Sequence, residues 1–329
     1  MDFELSEDQE ALAEGVGALC EGRFDIETVR AMADAGLDRG RWTELAETGV
    51  FSLCVPEADG GVGLGWAEAA VVFEQLGKAL VPGPLVASTL AAGLVEGAAD
   101  GSVVVASVER SEGPAMIEHL GWADVLVVVD GEGLATVATA DLDARRSEQP
   151  LDPLTPVWTI EVLPAGARVG DAAAAAEWRL RGAMLTSALQ LGLAVGATEL
   201  AVAYAKEREQ FGKPIGAFQA VKHRCADMVT RVEVLRAAVY AAGCTLDGNG
   251  VDAPERTVAV AKVLASHAAA ACGKDCVQVH GGMGYTWEVD AHLFLKRAWV
   301  HDLAFGEGEE YAEHLADNLV QNRTGNPTS

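Results

Sequence analysis

Two stretches carry residues whose types and spacing could do chemistry. The first, residues 278–288, sets Gln278 three positions ahead of the pair Gly281 and Gly282, with Gly284, Tyr285, Trp287 and Glu288 following. A glycine pair removes side chains where a backbone turns tightly or lets a ligand come close. The Gln278 amide can both donate and accept. Alanine-rich helical runs over 258–277 and 291–304 flank the stretch, so the glycines mark a helix-to-helix corner with Gln278 at the exit of the first helix. A plain helix C-cap is the competing account of these glycines. The second stretch holds Lys206, Arg208, Gln210, Phe211, Gly212, Lys213, Pro214 and Ile215, then Phe218, Gln219 and His223.

Other candidates are weaker. The glycine loop at 54–64 lacks the Lys-Ser/Thr of a P-loop and follows no clear buried strand. Cys272 and Cys276 share one face of a helix, but no further Cys/His pair completes a metal site, so they read as core.

Bulk properties bound the answer. A chain of 329 residues is long enough for two or three domains, and with half of it hydrophobic, disorder is not its general state. Charges or glycines break every apolar run before it could span a bilayer. No basic, cleavable apolar start is visible, and six cysteines are scattered at low density. The expectation is a cytoplasmic chain with reduced thiols. A formal net charge of −25 repels nucleic acid and anionic membrane surfaces.

The elements that would position these residues fall into three groups: a helical domain over 1–98, a small β domain over 99–170, and a helical bundle over 171–329. Ser6 and Gln9 form a capping-box pattern opening a helix over 7–21. Further helices are expected over 42–48 and 66–80. Short β-branched runs at 102–108, 123–129, 133–139 and 157–163 read as strands, and 145–156 as a polar connector. One long helical region over 172–204, with a possible kink at Gly192 or Gly196, leads into helices at 218–246, 258–277 and from 291, an antiparallel four-helix bundle. The polar tail at 322–329 is expected to fray.

The second stretch, followed by F-Q-x-x-x-H at 218–223 and Q-x-x-G-G-x-G-Y at 278–285, resembles the acyl-CoA dehydrogenase family. Its R-x-Q-F-G-x-P-I signature is matched at 208–215. The resemblance extends to the N-terminal D-F-x-L-x-x-x-Q and V-P-E-x-x-G-G-x-G habits and is weak in the middle. It implies an α+β fold with an N-terminal helical domain, a reduced central β domain and a C-terminal four-helix bundle. It also implies α,β-dehydrogenation of an acyl-CoA thioester with FAD as hydride acceptor, and an electron-transfer flavoprotein or similar acceptor. The family's grip on the ADP half of a neighbouring subunit's FAD carries over to Arg208, Gln210, Phe211, Gln278, Gly281 and Gly282. A guanidinium suits a pyrophosphate, an amide can read an adenine or ribose edge, and glycines permit backbone approach. A solvated Arg208 and a core Phe211 are the alternative.

The departures are as informative. The family's T-E-x-x-x-G-S-D and W-I-[TS] segments, which hold the flavin ring and diphosphate, have no counterpart; residues 106–113 lack the Gly-Ser-Asp. The two usual positions of the catalytic base fall on Phe305 and Gly182, neither of which can take a proton, so no catalytic residue is assigned. The resemblance is therefore to the flavin-ring-deficient subunit of the α2β2 acyl-CoA dehydrogenases of actinobacterial steroid side-chain degradation. A paralogous partner would bring base and ring pocket, and the acyl group would be bulky, of the steroid type. Since a CoA thioester is anionic and this chain acidic, the partner would also supply cations. Two alternatives stay open: a self-sufficient homo-oligomer using Glu307 or Glu177 as a displaced base, and a non-catalytic scaffold.

Overall fold

The structure, a computed structural model, describes residues 5–250 and 252–324. Five helices come first: α1 (Glu7–Arg23), α2 (Ile26–Ala35), α3 (Arg39–Glu47), α4 (Trp66–Lys78) and α5 (Leu85–Ala91). The capping box is present: Ser6 Oγ accepts from the Gln9 amide at 3.2 Å, and Gln9 Oε1 accepts from the Ser6 amide at 3.1 Å. Two of these helices, α2 and α5, were not expected. Asp25 caps α2 through the Thr28 amide at 3.0 Å, an N-cap signal readable from the sequence. Helix α5 spans seven residues, six of them buried, and no amphipathic period distinguishes so short an apolar run.

Seven strands follow in two small sheets. In one, the order is β1 (Val105–Glu109), β3 (Val125–Asp130), β4 (Gly133–Ala138), β7 (Ala167–Gly170), with β1 parallel to β3 and the rest antiparallel. The other runs β2 (Ala115–Glu118), β6 (Val157–Ile160), β5 (Arg145–Arg146), all antiparallel. The connector expected at 145–156 is thus no simple loop. Its first two residues pair with β6, and Asp152 within it is fully buried. Strands of two and four residues carry too little alternation to be seen in advance.

The bundle consists of α6 (Ala172–Glu207), α7 (Gln219–Leu246), α8 (Pro254–His280) and α9 (Ala291–Leu303), with α10 (Gly308–Thr324) packed on α8. A short hairpin, β8 (Glu209–Gln210) and β9 (Lys213–Pro214), joins α6 to α7. Of the tail expected to fray, residues 325–329 lie outside the described residues, and α10 runs to Thr324. Cys272 and Cys276 are core positions on α8, fully buried.

Helix α6 is the axis of the molecule. Residues 182–198 are all buried, against α4, α7, α8 and α9. Among the described residues it alone is long and apolar enough to cross a membrane, and its buried window marks it as a core helix. It is not broken at Gly192 or Gly196. A Cβ on Gly192 would lie 2.1 Å from the Glu74 carbonyl oxygen, one on Gly77 2.2 Å from the Leu189 carbonyl oxygen, and one on Gly196 2.5 Å from the Phe294 ring. These glycines serve close approach.

Two polar ties join distant parts of the chain. Asp247, at the end of α7, accepts from the Trp66 and Ala67 amides at 2.7 and 2.9 Å and so caps α4 from across the fold. In the second, Arg297 on α9 donates to Asp152, and the two side chains are 4% and 0% exposed. Asp152 also accepts from the Leu154 amide at 3.0 Å and the Thr155 hydroxyl at 2.7 Å. Removing one partner leaves a buried charge uncompensated. Asp152→Ala is expected to cost about 3–5 kcal/mol in urea unfolding, with Asp152→Leu/Arg297→Met recovering most of it. A single-mutant loss within about 0.5 kcal/mol would contradict this account.

Candidate functional site

The hairpin after α6 presents the second sequence stretch. Helix α6 ends as the Arg208 amide donates to Tyr204 O at 2.8 Å, and the chain closes back when the Ile215 amide donates to Arg208 O at 2.7 Å. The loop between β8 and β9 is Phe211 and Gly212, at φ of 54° and 78°. Two positive φ values in succession make a type I′ turn, which favours Asn-Gly or Gly-Gly. A phenylalanine there is strained, and its ring is 91% exposed. Its nearest aromatic neighbour is Phe218, edge-on at 6.0 Å. Arg208 and Gln210 are exposed. The Gln210 amide donates to Glu209 O at 2.8 Å, and Arg208 has no ion pair among the described residues.

The first stretch lies at the same end of the bundle. Gln278 is exposed on the last turn of α8. Gly281, at φ 61° and ψ −136°, closes the helix in a conformation open only to glycine. Gly281 and Gly282 meet no other atom where a Cβ would stand, whereas a Cβ on Gly284 would lie 2.5 Å from Val277 O. Gly284 is therefore the packing glycine, and the pair before it faces open space. The His280 ring stacks on Tyr204 with centroids 4.2 Å apart, and its Nδ1 pairs with Cys276 O at 2.8 Å. Tyr204 precedes Arg208 by one turn and His280 adjoins Gly281, so this stack brings the two stretches to one end. No side-chain hydrogen bond links them among the described residues.

The two base positions also meet. A Cβ on Gly182 would stand 2.1 Å from Cδ1 and Cε1 of Phe305, so the ring lies directly over that glycine. Phe305 itself sits at φ 57°. Lys262, fully buried on α8, holds the turn before it. Its Nζ donates to the carbonyls of His301, Asp302 and Ala304 at 2.8, 3.2 and 2.9 Å. Burial lowers its pKa to about 8, against the pull of Asp302 and Glu118. The Tyr311 hydroxyl donates to Phe305 O at 3.0 Å. Glu307 is exposed. Glu177, also exposed, is bound by Arg181 at 2.9 Å, whose guanidinium lies 4.8 Å from the Trp66 ring centroid.

Near β2, α8 and α9, titratable side chains lie close enough to act on one another electrostatically. Half-buried Glu118 has its pKa raised to about 7 by desolvation, opposed by Arg297. His119, at φ 57° and 4% exposed, is lowered to about 3 by burial and then by Arg297, and its Nδ1 lacks a partner. His301 is held well below its usual value by burial, then by Arg297 and Lys262. Sequence reading missed this cluster. The signal for Lys262 was there: it is the one charge on the buried stripe of Val258, Ala261, Ala265, Ala269, Cys272 and Cys276. Arg297 and Asp152 gave no such signal, because their partnership spans 145 residues.

Comparison with known proteins bears on the family and the fold. The family model for the acyl-CoA dehydrogenase N-terminal domain matches residues 6–100, and that for the C-terminal domain matches residues 174–320. The chain belongs to the acyl-CoA dehydrogenase family. Acyl-CoA dehydrogenase IpdE2 of Mycolicibacterium smegmatis is 37% identical over 311 residues, covering 89% of this chain and 93% of that protein. Acyl-CoA dehydrogenase FadE34 of Mycobacterium tuberculosis is 38% identical over 285 residues, covering 77% of this chain but 38% of its own length. Among solved structures, the fold matches a chain of the ChsE4-ChsE5 complex from Mycobacterium tuberculosis with a TM-score of 0.84. The identity is 24%, over 98% of this chain and 99% of that one.

As an acyl-CoA dehydrogenase, the chain has the family's fold: N-terminal helices, a small sheet domain and a C-terminal helical bundle, in a family of FAD-dependent oxidoreductases acting on acyl-CoA. Phe211 sits exposed on a strained backbone, with Phe218 as its aromatic contact. Phe211→Asn is expected to stabilise the free chain by up to about 1 kcal/mol, since asparagine takes positive φ more readily. A melting point that falls, rather than rising slightly, would contradict the strain.

Proposed function

We propose that this chain is the flavin-ring-deficient subunit of a hetero-oligomeric acyl-CoA dehydrogenase that completes its partner's FAD site in trans. The observation that carries the reading is the Phe305 ring lying over Gly182. The resemblance puts the base at one or other of these positions, and here a phenyl group packed on a bare backbone occupies both. Glu307 and Glu177, the displaced alternatives, are exposed, and Glu177 is tied to Arg181. A base needs reach to its proton and a tuned pKa.

The residues present fit one half of FAD. Exposed Arg208, Gln210 and Gln278, open space over Gly281 and Gly282, and a ring held outward at Phe211 suit a diphosphate, a ribose or adenine edge and a flat surface. They do not fit the flavin ring, because residues 106–113 lack the Gly-Ser-Asp of the segment that holds it in the family, and no W-I-[TS] follows. When bound, FAD supplies the hydride acceptor. This chain's own residues hold the ADP half and orient it.

The partner is a paralogous subunit carrying the base, in an α2β2 assembly. The length of FadE34 left outside the match leaves room for a second unit of this size, and the ChsE4-ChsE5 chain sharing the fold sits in a complex of two different chains. Both support a two-chain enzyme. The substrate is an acyl-CoA thioester with a bulky, steroid-type acyl group, and an electron-transfer flavoprotein or similar acceptor takes the electrons. Six free cysteines suit a reducing, cytoplasmic setting.

In the complex with its partner, Arg208→Ala should weaken flavin retention by about 1.5–3 kcal/mol, the worth of one charge-assisted contact, and Gln278→Ala by less. Full flavin occupancy in both variants after dilution and gel filtration would exclude these residues from the cofactor. Glu307→Gln should leave turnover within about twofold, under about 0.5 kcal/mol of barrier. A large fall in turnover at unchanged flavin content would instead establish a displaced base and a self-sufficient enzyme.

A further inference from the structure

The corner that carries Gln278, Gly281 and Gly282 continues into an arm whose large side chains are exposed. Met283, Tyr285 and Trp287 are exposed by 41%, 80% and 60%. The arm's internal bonds are local: the Thr286 amide and hydroxyl both donate to Met283 O, at 2.9 and 2.8 Å. One end is seated by Gly284 against Val277. The other end is gripped from the far side of the sequence. Arg30, on α2, donates through Nη1 to the Trp287 carbonyl at 2.5 Å and pairs through Nη2 with Asp290 Oδ1 at 2.5 Å.

That guanidinium spans the last turn of the arm before α9 begins. It bridges a backbone acceptor and a carboxylate three residues apart, which a planar fork can do and a single ammonium point charge cannot. Its footing is firm, because its neighbours Val29 and Met32 are 0% and 4% exposed in the core. Further contacts of the arm come from α9. His292 packs edge-on to Trp287 at 4.7 Å, and Lys296 Nζ lies 4.9 Å from the Trp287 ring centroid.

We infer that Arg30 is a positioning residue for the cofactor corner: by clamping Trp287 and Asp290 it fixes the arm, and through the arm the direction in which the open backbone of Gly281 and Gly282 points. The N-terminal helices thereby take part in a site to which they contribute no contacting side chain. The inference rests on the reading that this corner holds the ADP half of FAD.

The test uses Arg30→Gln and Arg30→Lys in the complex with the partner subunit, with two readouts: hydrogen exchange over residues 281–290, and the rate at which bound FAD is released, followed by its fluorescence. Arg30→Gln should raise exchange in the arm and speed release roughly tenfold, the low end of what loss of a group supporting a ligand site costs. Arg30→Lys, keeping one of the two contacts, should fall between. Leu45→Ala, which weakens the buried core of the N-terminal helices on α3 and leaves Arg30 and its helix intact, should leave release unchanged. That separates positioning from general weakening. If Gln278→Ala speeds release and Arg30→Gln does not, the positioning role is overturned and the cofactor reading stands. If neither changes release, the cofactor reading fails and the positioning role falls with it.

Discussion

Everything in this fold depends on how closely α4 and α6 can approach. Helix axes normally pack 8–10 Å apart, with the separation set by the side chains between them. Here Gly77 on α4 and Gly192 on α6 place backbone against backbone, and no residue with a Cβ could occupy either position without moving the helices apart. Because α6 is covered on its other sides by α7, α8 and α9, a shift there would be transmitted to each of them. The constraint also fixes where α6 ends, and so where the hairpin bearing Arg208 and Phe211 emerges.

Much of this was legible in the sequence, and the parts that were not have a common cause. Long helices with sustained apolar stripes, the Ser6 capping box and the glycine corner after α8 are signalled by residues within a few positions of one another. Their types and order could be read, although boundaries shifted by a few residues. The short strands β2, β5 and β7 exist because they pair with β6 or β4, and a strand of two residues has no pattern of its own. The same holds for Asp247 capping α4 and for Arg297 meeting Asp152. At the site, the motif residues were legible one by one. The stack of Tyr204 on His280 that gathers them, and the contact of Phe305 with Gly182, were not. Both are juxtapositions across the bundle.

Phe211 and Phe305 make an instructive contrast. Both are aromatic residues at positive φ, a conformation that costs of order 1–3 kcal/mol and persists only where the surroundings enforce it. Around Phe305 the enforcement is visible within the chain: Lys262 on three carbonyls, the Tyr311 hydroxyl and a glycine beneath the ring. Around Phe211 it is a two-residue turn with the ring left exposed. One strain is spent on filling space inside the protein, and the other leaves the ring on the surface.

The cap that Asp247 places on α4 has a consequence for how the chain is made. The acceptor for the first amides of α4 lies about 180 residues downstream. At the usual pace of about 5–20 residues per second, it follows them out of the ribosome by roughly 10–40 s. Until then α4 has α1 beside it and the Glu68 carboxylate on the Gly65 amide, but neither α7 nor the Asp247 cap. Helix α4 therefore completes its packing only after the bundle has closed, and part of its apolar face stays open while it waits.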